Sequence, residues 1–118
     1  MTPNDYQSAV MRTAPTKYPS MNGVQPLSLQ HILHAQLGIS SESGEIADAV
    51  KKALAYRQPL DLLNIKEECG DLLWYISLML EGCGYTLEDC MTENIDKLKL
   101  RYPEKFTEQD AFERKDKK

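Results

Sequence analysis

Apolar positions recur at helical spacing along most of the chain and divide it into four stretches. Asn4 with Gln7 three residues later has the form of a capping box, which predicts a short first helix running to about Thr13. Residues Ala14 to Pro26 carry three prolines and a glycine and read as a loop. A connection this long in a small domain often covers a site. Ser28 is the expected cap of a second helix. Its stripe is Leu29, Ile32, Leu33, Ile39, Ile46, Val50, Ala53 and Leu54, and Pro59 ends it. Gly38 is its weak point, where a bend is expected. Asp61 or Asn64 caps a third helix, and Asn64 with Glu67 would make a second capping box. From Leu72 to Leu80 this segment is apolar nearly all round, the pattern of a central, enclosed helix. Gly82-Cys83-Gly84 reads as a turn. Thr86 caps a fourth helix that continues through Leu87, Met91, Ile95 and Leu98 to about Tyr102, where Pro103 stops it. No stretch alternates as a strand. The pattern predicts an all-α protein in a single domain: a helix and proline-containing loop over 1–27, a helical body over 28–103, and a polar tail over 104–118 that frays at its end.

Composition narrows the function. A chain of 118 residues, 42% hydrophobic and 27% charged, fits one soluble domain with a modest core that oligomerisation would supplement. A net charge of −4 argues against a nucleic-acid polymer as partner and leaves nucleotides open, because a metal neutralises phosphate locally. Cys69, Cys83 and Cys90 are odd in number and lack C-x-x-C spacing, which predicts reduced thiols in a cytoplasmic protein, with Cys69 as a small packing residue. No signal peptide is evident. The run from Leu72 to Leu80 is far too short to cross a membrane.

The chemistry centres on two acidic motifs. Glu42-Ser43-Gly44-Glu45 is an E-x-x-E and Glu68-Cys69-Gly70-Asp71 an E-x-x-D. Each places its two carboxylates one turn apart on a single helix face. Two such helices side by side would gather four carboxylates, which repel and lose hydration unless a cation joins them. Oxygen-only ligands suit Mg²⁺, with Mn²⁺ able to substitute. On a helical wheel Glu42 lies about 60° from the centre of the apolar stripe, with Glu45 further out on the same side. Gly44 and Gly70, inside the motifs, suggest close backbone approach. The bland alternative for a single such motif is a solvated helix face. Asn94, Lys97 and Arg101 share one face of the fourth helix and could meet phosphate oxygens. The helix dipole alone also favours basic residues there. His31 and His34 form an H-x-x-H on the side of Glu42 and Glu45, two turns away; they are structural, or they reach the base or sugar of a nucleotide. Lys51 and Lys52 are solvated or touch phosphate.

Taken in order, Gly38 to Glu45, Lys51-Lys52, Glu67-Glu68-Cys69-Gly70-Asp71-Leu72-Leu73-Trp74-Tyr75, Asn94 to Leu98 and Arg101-Tyr102-Pro103 resemble the MazG-like nucleotide pyrophosphohydrolases. These belong to the all-α NTP pyrophosphatases. The resemblance covers roughly Leu29 to Phe106 and is similar to short single-domain versions, including those carried by bacteriophages. It implies a bundle of four to five helices, assembled as a homodimer or homotetramer. It also implies Mg²⁺-dependent hydrolysis of a nucleoside triphosphate to monophosphate and pyrophosphate. Carried over by motif, Glu42, Glu45, Glu68 and Asp71 would hold the metal and perform catalysis. Asn94, Lys97 and Arg101 would meet phosphates, with His34 and Lys51 as further substrate contacts.

Two other readings compete. Ferritin-like di-iron proteins also put carboxylates on bundled helices, but they use E-x-x-H, and neither acidic motif here contains a histidine. A non-catalytic helical module that binds nucleotides or a protein partner would make the acidic motifs mere surface.

Overall fold

The computed structural model describes residues 1–21 and 25–117. The glycine of the predicted loop, Gly23, lies outside the described residues. Among those described, every regular element is helical: α1 (Pro3–Thr13), a 3₁₀ turn (Pro19–Met21), α2 (Leu27–Ala55), α3 (Leu62–Cys83), α4 (Leu87–Arg101) and α5 (Glu108–Glu113). They form two compact units, Met1–Thr86 and Leu87–Lys118.

The helix ends depart from the expected ones in instructive ways. α1 starts two residues early. Thr2 Oγ1 accepts from the Asp5 backbone N–H at 3.0 Å, and the Asp5 carboxylate accepts from the Thr2 N–H at 3.1 Å. Pro3 explains this, because its fixed φ suits the first helical position and leaves Thr2 as the cap. α2 starts at Leu27 after Pro26 with no side-chain cap, so Ser28 sits inside the first turn. Asp61 caps α3 by accepting from the Asn64 N–H at 3.0 Å, which excludes Asn64 as the cap. The predicted turn at 82–84 shrinks to Gly84. Gly82 and Cys83 are still helical, and Gly84 ends α3 in the left-handed region at φ 81°.

α2 runs 29 residues without a break at Gly38. The glycine serves the neighbouring helix instead. A Cβ there would lie 2.2 Å from the Tyr75 ring, and one at Gly82 would lie 2.6 Å from the Ser28 carbonyl oxygen. These two close approaches pair residue 38 with 75 and residue 28 with 82, so α2 and α3 pack antiparallel in a fixed register. Gly44 and Gly70, where close approach was expected, have nothing within 4 Å of the equivalent position.

In the first unit α2 packs on α3, and α1 packs on α3. Ala14, Ala35 and Leu78 form the buried centre, with Met11, Trp74 and Met79 against it. Gln7, itself buried, ties α1 to the far end of α3. Its Nε2 donates to Glu81 Oε2 and to the Tyr85 carbonyl, both at 3.0 Å. α3 is less enclosed than its composition suggests: Ser77 and Leu78 are buried, while Leu73 is 47% exposed. All three cysteines are free and exposed, so Cys69 is no packing residue.

In the second unit the polar tail folds further than expected. Thr107 caps α5 by accepting from the Asp110 N–H at 3.0 Å. Arg101, at the end of α4, donates from Nε and Nη2 to the two oxygens of Asp116 at 2.8 and 2.9 Å. That two-pronged pair returns the chain end to α4.

Candidate active site

The α2–α3 register that seats Tyr75 on Gly38 brings Glu42 level with the third-helix motif. Glu42, Glu68 and Asp71 each offer a carboxylate oxygen within 4.8 Å of the others. Glu42 and Glu68 are partly buried and Asp71 is exposed. Crowding acts on the proton affinity of Glu68. The Glu68 carboxyl is held above the ordinary carboxylate range, first by sharing a hydrogen bond with Glu42, then by burial and by repulsion from Glu42 and Asp71. Its Oε2 is buried and has no hydrogen-bond partner. A buried carboxylate oxygen without a donor, among two more carboxylates, is the arrangement a hard divalent cation satisfies.

Glu45 stands apart from this group. It is exposed and lines a separate hollow with Asp48, Lys52, Asp61 and Asn64 near the α2–α3 connection. Three of the four predicted carboxylates are therefore assembled by the fold, and the fourth lies one turn further along α2. Lys51 and Lys52 both pair with Asp48, at 3.6 and 2.8 Å, as ordinary one-turn pairs on an exposed face.

Glu42 and Asp71 also line a cavity of about 380 Å³ whose other walls are Thr13, Trp74 and Tyr75. The Trp74 and Tyr75 rings meet edge to face, with centroids 5.1 Å apart. His34 packs edge-on against both, at 6.1 Å from Trp74 and 5.6 Å from Tyr75. Behind it the Tyr18 hydroxyl lies 2.9 Å from His31 Nδ1 and 2.8 Å from His34 Nδ1. One hydroxyl carries one proton, so with both rings neutral one histidine accepts from Tyr18 and the other donates to it through Nδ1–H. His31 is buried, and desolvation lowers its proton affinity, with the neighbouring His34 acting the same way and Glu81 opposing. Tyr6 donates to the Gly70 carbonyl at 3.4 Å, beside Asp71.

In the second unit Asn94 and Lys97 are exposed on α4, while Arg101 is engaged by Asp116. The residues that sequence reasoning passed over are Thr13, Tyr18, Trp74 and Tyr75. A signal existed for the last two: they follow Asp71 by three and four residues, on the same helix face as the acidic pair. Thr13 and Tyr18 gave none, because only tertiary packing brings them to α2 and α3.

The profile of the MazG nucleotide pyrophosphohydrolase domain matches residues 30–106, more than half of the chain. The chain is also similar to the Gene 37 protein of Mycobacterium phage L5, 28% identical over 100 residues, which span 81% of this chain and 84% of the phage protein. No solved structure matches. With its all-helical fold and its acidic motifs inside the matched span, the chain belongs to the MazG nucleotide pyrophosphohydrolase domain family.

Proposed function

We propose that this protein is a Mg²⁺-dependent nucleoside triphosphate pyrophosphohydrolase. It would cleave NTP or dNTP at the α-phosphate to give the monophosphate and pyrophosphate. The observation that carries this reading is the convergence of Glu42, Glu68 and Asp71 around a buried, unpartnered carboxylate oxygen, with Glu42 and Asp71 also in the wall of a cavity that has an aromatic side. Those three residues would hold Mg²⁺, or Mn²⁺ in its place, and Glu45 is the fourth member of the proposed set. When bound, the cation supplies charge neutralisation for the triphosphate and a more acidic water. Glu42 or Glu45 accepts a proton from the attacking water as its oxygen bonds to the α-phosphorus and the bond to the bridging oxygen breaks. Asn94 and Lys97, with Lys51, would meet phosphate oxygens, and Arg101 would join them on exchanging its carboxylate partner for phosphate, since both accept its two-pronged donation. His34 would face the base.

The assembly expected is a homodimer or homotetramer, supported by the leucines that α2 and α3 leave uncovered. The test is a product assay with each common NTP and dNTP, with Mg²⁺ and with chelator. Monophosphate plus pyrophosphate, lost on chelation, is the expected result. Diphosphate plus inorganic phosphate would reject the bond named, and binding without turnover would favour a non-catalytic nucleotide-binding module.

A further inference from the structure

The segment before residue 30 lies outside the matched domain, yet it lines the cavity at Thr13 and braces a residue behind its wall at Tyr18. Thr13, the last residue of α1, accepts a hydrogen bond from the Trp74 indole N–H at 2.9 Å. Its own hydroxyl proton is directed to the Val10 carbonyl at 3.0 Å, so its lone pairs are left facing the indole. Trp74 is thereby fixed in rotation about its side chain, with its ring in the cavity wall beside Glu42 and Asp71. Tyr18 performs the same service one layer back. Its hydroxyl joins the Nδ1 atoms of His31 and His34, and the His34 ring, so held, packs edge-on against Trp74 and Tyr75. Tyr75 is in turn seated on Gly38, where no side chain competes with it.

A planar wall beside a carboxylate cluster has two parts of a nucleotide to receive. The charged end belongs with the cation, which leaves the aromatic side for the base, where stacking is tolerant of identity and the ring's setting decides fit. We infer that Thr13 and Tyr18 are positioning residues that fix the Trp74 indole and the His34 imidazole as the base-facing wall, and that they set which base is preferred. The inference rests on the reading of the cavity as a nucleotide site.

Trp74 is the sole tryptophan of the chain, so fluorescence excited beyond the absorption of the six tyrosines reports this wall. The experiment titrates the common nucleoside and deoxynucleoside monophosphates into the full-length protein with Mg²⁺, following Trp74 emission, for wild type, Thr13→Val, Thr13→Ser and Tyr18→Phe. Wild type is expected to respond with different affinities for different bases. Thr13→Val keeps the branched shape and removes the acceptor; it should weaken the preferred nucleotide by at least about fivefold and compress the spread between bases, while Thr13→Ser restores both. Tyr18→Phe should compress the spread as well. Thermal stabilisation by Mg²⁺ alone should be the same in all four proteins, which shows that the folded metal site is intact. An unchanged spread in Thr13→Val, or an equal loss for every base, would overturn the inference. So would a wild type whose fluorescence ignores every nucleotide. Base-selective binding without hydrolysis would leave the positioning role standing and reject the pyrophosphohydrolase reading.

Discussion

At the scale of single residues, Glu68 is where folding and chemistry oppose each other. Its carboxyl is pushed above the ordinary range by Glu42, by burial and by Asp71. A carboxyl raised in the folded state gives stability that is present below its unfolded value and lost as pH rises through its folded value. In the metal-free protein the fold therefore disfavours the ionised form of this group. Glu68→Gln keeps the shape and removes that charge. The expected outcome is a variant at least as stable as wild type without metal, whose melting temperature no longer rises with Mg²⁺, and whose turnover falls by about 10²-fold or more. Wild type should gain about 2.7 kcal/mol at a Mg²⁺ concentration one hundred times its dissociation constant. Thermal melts across a Mg²⁺ series check both. A Glu68→Gln protein that Mg²⁺ stabilises as strongly as wild type would remove Glu68 from the metal set. Ser77 is a second residue at odds with its surroundings, fully buried with an unpartnered hydroxyl. Such a group costs about 1–3 kcal/mol, so Ser77→Ala should raise the melting temperature without altering Mg²⁺ binding.

At the scale of elements, the ends of the helices show what local chemistry decides. Thr2, Asp61 and Thr107 cap α1, α3 and α5 through their own side chains, while α2 begins without one and draws its stability from packing along its length. α5 is only six residues long, too short to stand by propensity, and Asp116 is what returns it to α4. The Arg101 guanidinium, with Arg114 beside it, holds the Asp116 carboxyl far below the usual carboxylate range. For a carboxylate depressed in this way, the stabilisation is complete above its unfolded value near 3.8 and disappears only as pH falls through the lower folded value. Hydrogen exchange of the Glu108–Glu113 amides, corrected for intrinsic rates, should therefore give equal protection at pH 5 and pH 7. Asp116→Asn should lose roughly an order of magnitude of that protection at both. Equal protection in the variant would mean that the helix is held by something other than this pair.

At the scale of the whole molecule, the notable quantity is apolar surface. Leu37, Leu54, Leu62 and Leu63 are each well over half exposed, on the two longest helices among the described residues. A soluble monomer seldom leaves so many leucines uncovered. Light scattering coupled to size exclusion should give a whole-number multiple of the 13.4 kDa chain mass, and Leu63→Asp should shift the population to a smaller species. A wild-type monomer at micromolar concentration would sink the oligomer proposal. No helix among the described residues is long and apolar enough to cross a membrane.

The sequence by itself determined the helical class, the four long helices and the two acidic motifs, because helical periodicity and i, i+3 spacing are local properties of one chain segment. It also pointed to the family through motifs in order. It misplaced caps where a neighbouring proline changed the best position, as at Pro3 and Pro26. It assigned to Gly44 and Gly70 a close approach that occurs at Gly38 and Gly82, since a glycine's neighbour is known only once two helices are in register. That register, set by Tyr75 on Gly38 and by Ser28 on Gly82, is what the tertiary structure decided. It brought Glu42 to Glu68 and Asp71, left Glu45 a turn away, and let Thr13 and Tyr18 meet Trp74 and His34 across more than a dozen residues of sequence. Contacts of that kind have no periodic signature; they follow from how whole helices pack.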